Sequence, residues 1–276
     1  VTNRVEAVTG HAIWGDNTNV ALSNEWDGSA YDINGSTVNL GDEFRIMQAA
    51  EAPTRDEIIV VGVINNRDVK AQIWDGSSWA EVSLGTLGKV SENYWWGAEV
   101  AYEQSSGDAL MVWNDDGQSS GQELRYSTWN GSTWSTVQSI SGYTGDEPQH
   151  MKLSFDPSSD EMVLIVSDKN ADDWAFVWNG SSWGNMISLD TTGGGETAQT
   201  AIAVSHEADS GDAIVTYGKQ GSDDIYYRVW DGAIWSSESS MSPPGTVSGD
   251  PRWIVSANDL SSDRVVVGVT TRDNDA

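Results

Sequence analysis

The chain contains no cysteine, so no disulfide braces it and no thiol performs chemistry. Basic residues are scarce: 14 Lys and Arg stand against 42 Asp and Glu, for a net charge of −28. Such a surface repels phosphate backbones, which excludes nucleic acid as the expected partner. An excess of acids with only five Lys is a pattern often met in proteins from salty or calcium-rich surroundings. No apolar run approaches the roughly 20 residues that cross a bilayer, so no membrane insertion is expected. The sequence opens at Val1 without an initiator Met or a signal peptide, and the expectation is a mature or excised piece of a longer protein. What the chain does have is a hydrophobic fraction of 38% in short runs, set among abundant Ser, Thr, Asn, Asp and Gly. That balance suits an extracellular or cell-surface all-β domain.

A six-letter phrase recurs along the chain: WDGSAY at 26–31, WDGSSW at 74–79, WNGSTW at 129–134, WNGSSW at 178–183 and WDGAIW at 230–235. The opening tryptophans are spaced by 48, 55, 49 and 52 residues. A second landmark is more regular. Short turns ending in an acid precede β-branched runs, and the aligned acids Asp56, Asp108, Asp160, Asp212 and Asp263 lie 52, 52, 52 and 51 residues apart. A tandem repeat of about fifty residues follows. A third landmark places Asp42, Glu92, Asp146, Glu196 and Asp250 a few residues before the next apolar segment.

One unit, 146–190, shows the local pattern. QHMKLSF reads as a strand, DPSSDE as a turn, and MVLIVS as a strand buried on both faces. After the polar turn DKNADD come WAFVWNG, rich in aromatic and β-branched residues, and WGNMISL across a tight turn. Four hairpin-linked strands repeated every 40–55 residues predict an all-β fold, a β-propeller of four-stranded antiparallel blades, labelled A (inner) to D (outer). The whole of 1–276 is then one propeller domain. Its blades fall at about 1–40, 41–90, 91–144, 145–194 and 195–247, with a partial blade or closing hairpin at 248–276. EAVTGHAIWGDN (6–17) resembles EADSGDAIVTYG (207–218), which places strand B of the first blade there. The count is five or six blades.

The phrase sits at the C–D hairpin. Its turn residues are Trp26, Asp27, Gly28; Trp74, Asp75, Gly76; Trp129, Asn130, Gly131; Trp178, Asn179, Gly180; and Trp230, Asp231, Gly232. Asn-Gly and Asp-Gly predict a tight turn with both residues at positive φ, flanked by aromatics that pack across the strands. Asn130 and Asn179 also lie in N-glycosylation sequons. Sugar stacking on the tryptophans is the functional alternative to a purely structural turn.

This phrase resembles a shortened Asp-box of sialidase-like propellers, S-x-D-x-G-x-T-W, which also occupies the C–D hairpin. It is also similar to the W-x-G-x-W repeats, with a period near fifty, of bacterial fucose-binding propeller lectins. The resemblance covers nearly the whole chain. It implies the propeller architecture, with hairpin motifs that are mostly structural.

In a propeller the D–A crossings and B–C turns share one face, and the A–B and C–D hairpins share the other. Asp42, Glu92, Asp146, Glu196 and Asp250 are therefore expected around the channel mouth, near Arg45, Trp95, Trp96, His150, Arg252 and Trp253. Carboxylates that accept hydroxyl hydrogen bonds, beside indole faces that receive a sugar's C–H surface, suit a saccharide. The alternative is that each acid accepts backbone N–H bonds from a neighbouring blade. The B–C turns, GDNTN (15–19), NDDG (114–117), DKNADD (168–173), GSDD (221–224) and RDNDA (272–276), are rich in oxygen donors. They suit Ca²⁺ as the one cofactor the sequence suggests, but none matches the twelve-residue calcium loop, and solvated turn tips are the plainer reading.

A sialidase-like or other glycan-active enzyme is the weakest reading. Arg45 and Arg252 resemble part of an arginine triad, but no Tyr–Glu pair accompanies them, and equivalent acids in a ring are not the asymmetric pair of a glycosidase. His11, His150 and His206 have no metal-ligand spacing, and His206 is expected to be a packed residue. The sequence thus points to a non-catalytic recognition module, lectin- or adhesin-like. Its expected partner is a glycan or surface polymer. The main rival is a structural module bound to other parts of a larger surface protein.

Overall fold

The computed structural model describes residues 10–15, 18–26, 29–31, 35–82, 84, 87–90, 96–191, 201–242 and 249–271. Among them, every regular element is a strand, and no helix is long and apolar enough to cross a membrane. The expected positions Asp27, Gly28, Glu92, Trp95 and Glu196, and the turn 272–276, lie outside the described residues.

Strands follow one another in six antiparallel sheets among the described residues. Blade 1 comprises β1 (Gly10–Trp14), β2 (Val20–Trp26) and β3 (Ser36–Asn39). Blade 2 comprises β4 (Phe44–Glu51), β5 (Ile58–Ile64), β6 (Val69–Trp74) and β7 (Trp79–Glu81). Blade 3 comprises β8 (Ala98–Tyr102), β9 (Ala109–Asn114), β10 (Leu124–Trp129) and β11 (Gln138–Ser139). Blade 4 comprises β12 (Pro148–Phe155), β13 (Glu161–Asp168), β14 (Asp173–Asn179) and β15 (Trp183–Asp190). Blade 5 comprises β16 (Ile202–His206), β17 (Ala213–Gly218), β18 (Ile225–Trp230) and β19 (Ser239–Met241), and blade 6 the hairpin β20 (Pro251–Asn258) and β21 (Val265–Thr271). The architecture is the propeller that the fifty-residue repeat predicts.

The core lies between blades. Successive side chains of a strand point to opposite faces, so each B strand feeds two seams at once. Met111 of β9 packs toward blade 2, among Val61 and Ala71. Its neighbours Leu110 and Val112 pack toward blade 4, among Met151 and Leu164. In β13, Leu164 faces blade 3, whereas Val163 and Ile165 face blade 5 beside Val204 and Tyr217. This two-sided burial is why the B strands read as unbroken apolar runs. Inner A strands are tied by polar links across the seams. Lys152 Nζ donates to Glu99 at 2.7 Å, Ser154 Oγ meets His206 Nδ1 at 2.9 Å, and Ser205 Oγ meets Ser256 Oγ at 2.7 Å.

The C–D turn has a different geometry from the expected one. The residues at positive φ are the glycines, Gly76, Gly131, Gly180 and Gly232, at φ of 82–87°; Asp75, Asn130, Asn179 and Asp231 are not among the positive-φ residues. The loop holds four residues between paired aromatics, Trp74 opposite Trp79 and Trp178 opposite Trp183. Asp or Asn is required for its side-chain acceptor. Asn179 Oδ1 accepts the N–H groups of Ser181 (3.1 Å) and Ser182 (2.9 Å), and Asp75 Oδ1 accepts those of Ser77 and Ser78 at 2.9 Å each. The flanking rings pack as the sequence predicts, at centroid distances of 5.1 Å (Trp26–Tyr31), 5.7 Å (Trp74–Trp79), 5.4 Å (Trp129–Trp134), 5.5 Å (Trp178–Trp183) and 5.5 Å (Trp230–Trp235).

The acids of the A–B turns are also not equivalent. Each turn closes with one backbone bond: Ala52 N to Glu57 O, Glu103 N to Asp108 O, Asp156 N to Glu161 O, Glu207 N to Asp212 O, and Asp259 N to Arg264 O. By that register, Asp108 and Asp212 match Glu57, Glu161 and Arg264, while Asp56, Asp160 and Asp263 stand one residue earlier. Two of the earlier acids, Asp160 and Asp263, reach across a seam. Asp160 Oδ1 accepts Ser105 N (2.8 Å) and Ser106 N (2.9 Å), and Asp263 Oδ1 accepts Asp209 N (2.8 Å) and Ser210 N (2.9 Å). Blades 3 and 5 therefore carry one kind of turn, and blades 2, 4 and 6 another. The even spacing of the acids averages over two registers.

Candidate functional site

The crossings that begin the blades hold the acids singled out by the sequence. Asp42 Oδ1 accepts the N–H of Glu43 at 2.9 Å. Asp146 accepts Glu147 N at 2.9 Å, Asn170 Nδ2 at 3.3 Å and the ammonium of Lys169 at 2.7 Å. The Lys169 bond holds its carboxyl below the usual carboxylate range. Asp250 Oδ1 accepts Gly221 N from the B–C turn of blade 5 at 3.1 Å. Asp146 and Asp250 stitch crossings to turns on one face, whereas Asp42 caps its own crossing. The B–C turns are likewise self-capped: Asp168 Oδ1 accepts Asn170 N and Asp172 N, and Asp115 Oδ1 accepts Gly117 N. Among the described residues no group of three or more His, Asp and Glu side chains could hold a metal ion.

The aromatic residues of the same set converge. Trp96, just before β8, packs its ring at 5.6 Å from His150 of β12 and at 5.5 Å from Trp253 of β20. The second contact joins blade 3 to blade 6, which a ring of blades brings together only across its central channel. His150 is buried, whereas Trp253 is 40% exposed. Arg252 is half-buried beside Trp253.

Beside this cluster lies an open cavity of about 470 Å³ along the seam of blades 1 and 2, lined by His11, Ile13, Arg45, Ile46, Met47, Gln48, Ala49, Val60 and Trp96. Arg45 is held at its rim by Asn65 Oδ1, to which Nε donates at 2.9 Å, and by Glu43 at 3.0 Å. The His11 ring packs tilted against Trp74 at 4.8 Å and places Nδ1 3.1 Å from Ser23 Oγ. A guanidinium, an imidazole, a primary amide and an indole thus surround one concavity, the mixture that hydrogen-bonds polyols and receives their C–H faces. The structure brings Arg45 and Trp96 together here, with His150 and Trp253 in the adjoining cluster; Asp42, Asp146 and Asp250 do not line the cavity. His11 and Gln48 were not among the candidates. The signal for His11 was present in the match of TGHAI to SGDAI, which sets it in register with Asp212.

No family model matches the chain, and no curated protein does. Solved structures do match. The six-bladed β-propeller fungal lectin of Aleuria aurantia is 16% identical, with a TM-score of 0.54, over 96% of this chain and 84% of that one. AofleA from Arthrobotrys oligospora is 13% identical, with a TM-score of 0.56, over 98% and 82%. The BP39L lectin from Burkholderia pseudomallei is 12% identical, with a TM-score of 0.65, over 97% and 76%. The fold is that of six-bladed propeller lectins.

Proposed function

We propose that this chain is a non-catalytic, extracellular glycan-recognition module, lectin- or adhesin-like. The observation that carries the reading is the cavity of about 470 Å³ whose lining includes Arg45, Gln48, His11 and Trp96. The fold supports it, since the Aleuria aurantia lectin is described by its fucose recognition mode and a mutant of it in complex with α-methyl-L-fucoside. A fucosylated glycan is the first ligand to try. Several shallow seams of the same kind would gain avidity on a polymer. The test is a glycan array followed by calorimetry, with and without Ca²⁺. Trp96→Ala and Arg45→Ala are expected to weaken the best ligand at least tenfold without lowering the melting temperature in proportion. Silence across the array would sink the reading.

The structural-module alternative draws on a different observation. Asp42, Asp146 and Asp250 engage backbone and side-chain donors of their own face, as architectural residues do. Isolation of the intact protein in a stable surface assembly, together with a silent array, would favour it.

A further inference from the structure

On the opposite face, the seams between blades 2 and 3 and between blades 4 and 5 are built alike. In each, a C–D tryptophan donates to the glutamate that opens the preceding blade's B strand: Trp129 Nε1 to Glu57 at 3.0 Å, and Trp230 Nε1 to Glu161 at 2.8 Å. In each, the next blade's A–B turn is closed by a glycine, with Gly107 N donating to Glu103 O (3.1 Å) and Gly211 N to Glu207 O (3.2 Å). The sequences PTRDE (53–57) and PSSDE (157–161) differ at one telling position, Arg55 against Ser159.

In the first seam Arg55 fills the space. Its Nε and Nη2 donate to Glu57 Oε1 at 2.9 and 2.7 Å, and its guanidinium carbon lies 5.6 Å from the centre of the Tyr102 ring. The neighbouring glycines make the room. A Cβ on Gly131 would lie 3.2 Å from Arg55 Cζ, and one on Gly107 would lie 3.2 Å from Arg55 Nη1. In the second seam a Cβ on Gly232, the counterpart of Gly131, would meet no atom within 4 Å. There a cavity of about 240 Å³ is lined by Asp156, Ser159, Glu161, Ser210, Gly211, Asp212, Asp231 and Gly232. The counterpart of Tyr102 is His206, since both are the last A-strand residue and pair with Ala109 and Ala213. His206 is fully buried, and its Nε2 has no hydrogen-bond partner among the described residues. The carboxyls of Glu161 and Asp212 are both pushed up, chiefly by burial, and Asp231 and Asp263 add repulsion at Asp212.

We propose that the seam between blades 4 and 5 is a binding site for a guanidinium group, the arginine side chain of a partner protein, seated as Arg55 is seated in the sister seam. Four carboxylates, from Asp156, Glu161, Asp212 and Asp231, offer acceptors on several sides of the cavity. A planar fork of N–H donors satisfies more of them than a compact ammonium does. The site lies away from the Arg45–Trp96 cavity, and it is independent of the glycan reading.

The probe is a capped Gly-Arg-Gly peptide, titrated by NMR and calorimetry at low salt beside the Gly-Lys-Gly peptide, methylguanidinium and Ca²⁺. The proposal expects saturable 1:1 binding of the arginine peptide, at least tenfold tighter than the lysine peptide and tighter than methylguanidinium alone. Asp212→Asn weakens it at least tenfold. Ser159→Arg, which supplies the guanidinium from within the chain, abolishes it and raises the melting temperature. If Ser159→Arg fails to fold, Asp212→Asn alone decides. Equal affinity for the lysine peptide, displacement of the peptide by Ca²⁺ at equal concentration, or no saturable binding by folded wild type overturns the proposal.

Discussion

The indole N–H of Trp178 in blade 4 lies 2.6 Å from Glu103 Oε1 in blade 3, a buried hydrogen bond between residues 75 apart in sequence. Trp129 and Trp230 make the same reach to Glu57 and Glu161. In blades 3, 4 and 5 the tryptophan that opens the repeated phrase thus fastens its blade to the preceding one, whereas the buried Trp74 Nε1 of blade 2 has no such partner among the described residues.

Trp178→Phe keeps an aromatic ring but removes the indole's pyrrole part with its donor, leaving a buried carboxylate short of a partner. Burial already pushes Glu103 up, against the bonds from Ser106 and Trp178. The expected loss is about 1–3 kcal/mol in urea unfolding. Glu103→Gln, which keeps an acceptor, should cost less. A loss for Trp178→Phe with none for Glu103→Ala would show that the ring's packing, not its N–H, is what matters.

At the turn itself, Asn179→Ala should cost about 1 kcal/mol by removing the acceptor for Ser181 and Ser182. Asn179→Asp should be close to neutral, because Asp75 and Asp231 already fill the same place. Gly180→Ala should cost about 1–2 kcal/mol, since φ is 85° and the new Cβ would lie 3.0 Å from Asp160 Cβ. Thermal unfolding of the three variants side by side checks the ordering.

The two turn registers predict unequal effects for acids that the repeat aligns. Asp160→Ala removes the acceptor of two backbone N–H groups across a seam and should cost about 1.5–3 kcal/mol. Asp108→Ala removes a carboxylate whose pKa is raised, chiefly by burial, so it should cost less. Equal losses in denaturant unfolding would contradict the alternation.

Two buried groups set opposing pH slopes. Burial pushes Glu99 up to about 7 despite Lys152, so between roughly 4.5 and 7 the folded chain holds the extra proton and this group's contribution weakens as pH rises. Burial pulls His206 down to about 4 despite Asp156, so between about 4 and 6.5 the unfolded chain holds the extra proton and stability grows as pH rises. Relative to wild type, Glu99→Gln should tilt the stability profile upward with pH, and His206→Gln should tilt it downward. Unfolding free energies at pH 4.5, 5.5 and 7 give both slopes.

The blade pattern was legible because its cause is local. A B strand that packs on two neighbours must be apolar at every position, and a four-residue turn capped by a side-chain oxygen must write Asp or Asn before Gly. MVLIVS and WNGSSW carry those demands openly. The seam cavity was not legible in this way. His11, Arg45 and Trp96 come from three different blades, and their approach depends on how sheets pack, which no local pattern records. The acids beginning each blade stood out by their place before each apolar segment, yet Asp146 and Asp250 turn toward neighbouring loops, because a nearby N–H competes for a carboxylate wherever the crossing is tight. The alternation of the A–B turns hid behind a nearly constant spacing, since moving an acid by one residue scarcely alters a period of 52.

That alternation governs valence. Trp74 and Trp178, in blades of the same kind, stand 104 residues apart, twice the blade length. A partner stepping around the rim meets the same seam chemistry only at every second step. Of the two like seams, Arg55 fills the one between blades 2 and 3, so a ligand of the open seam between blades 4 and 5 is expected once per chain.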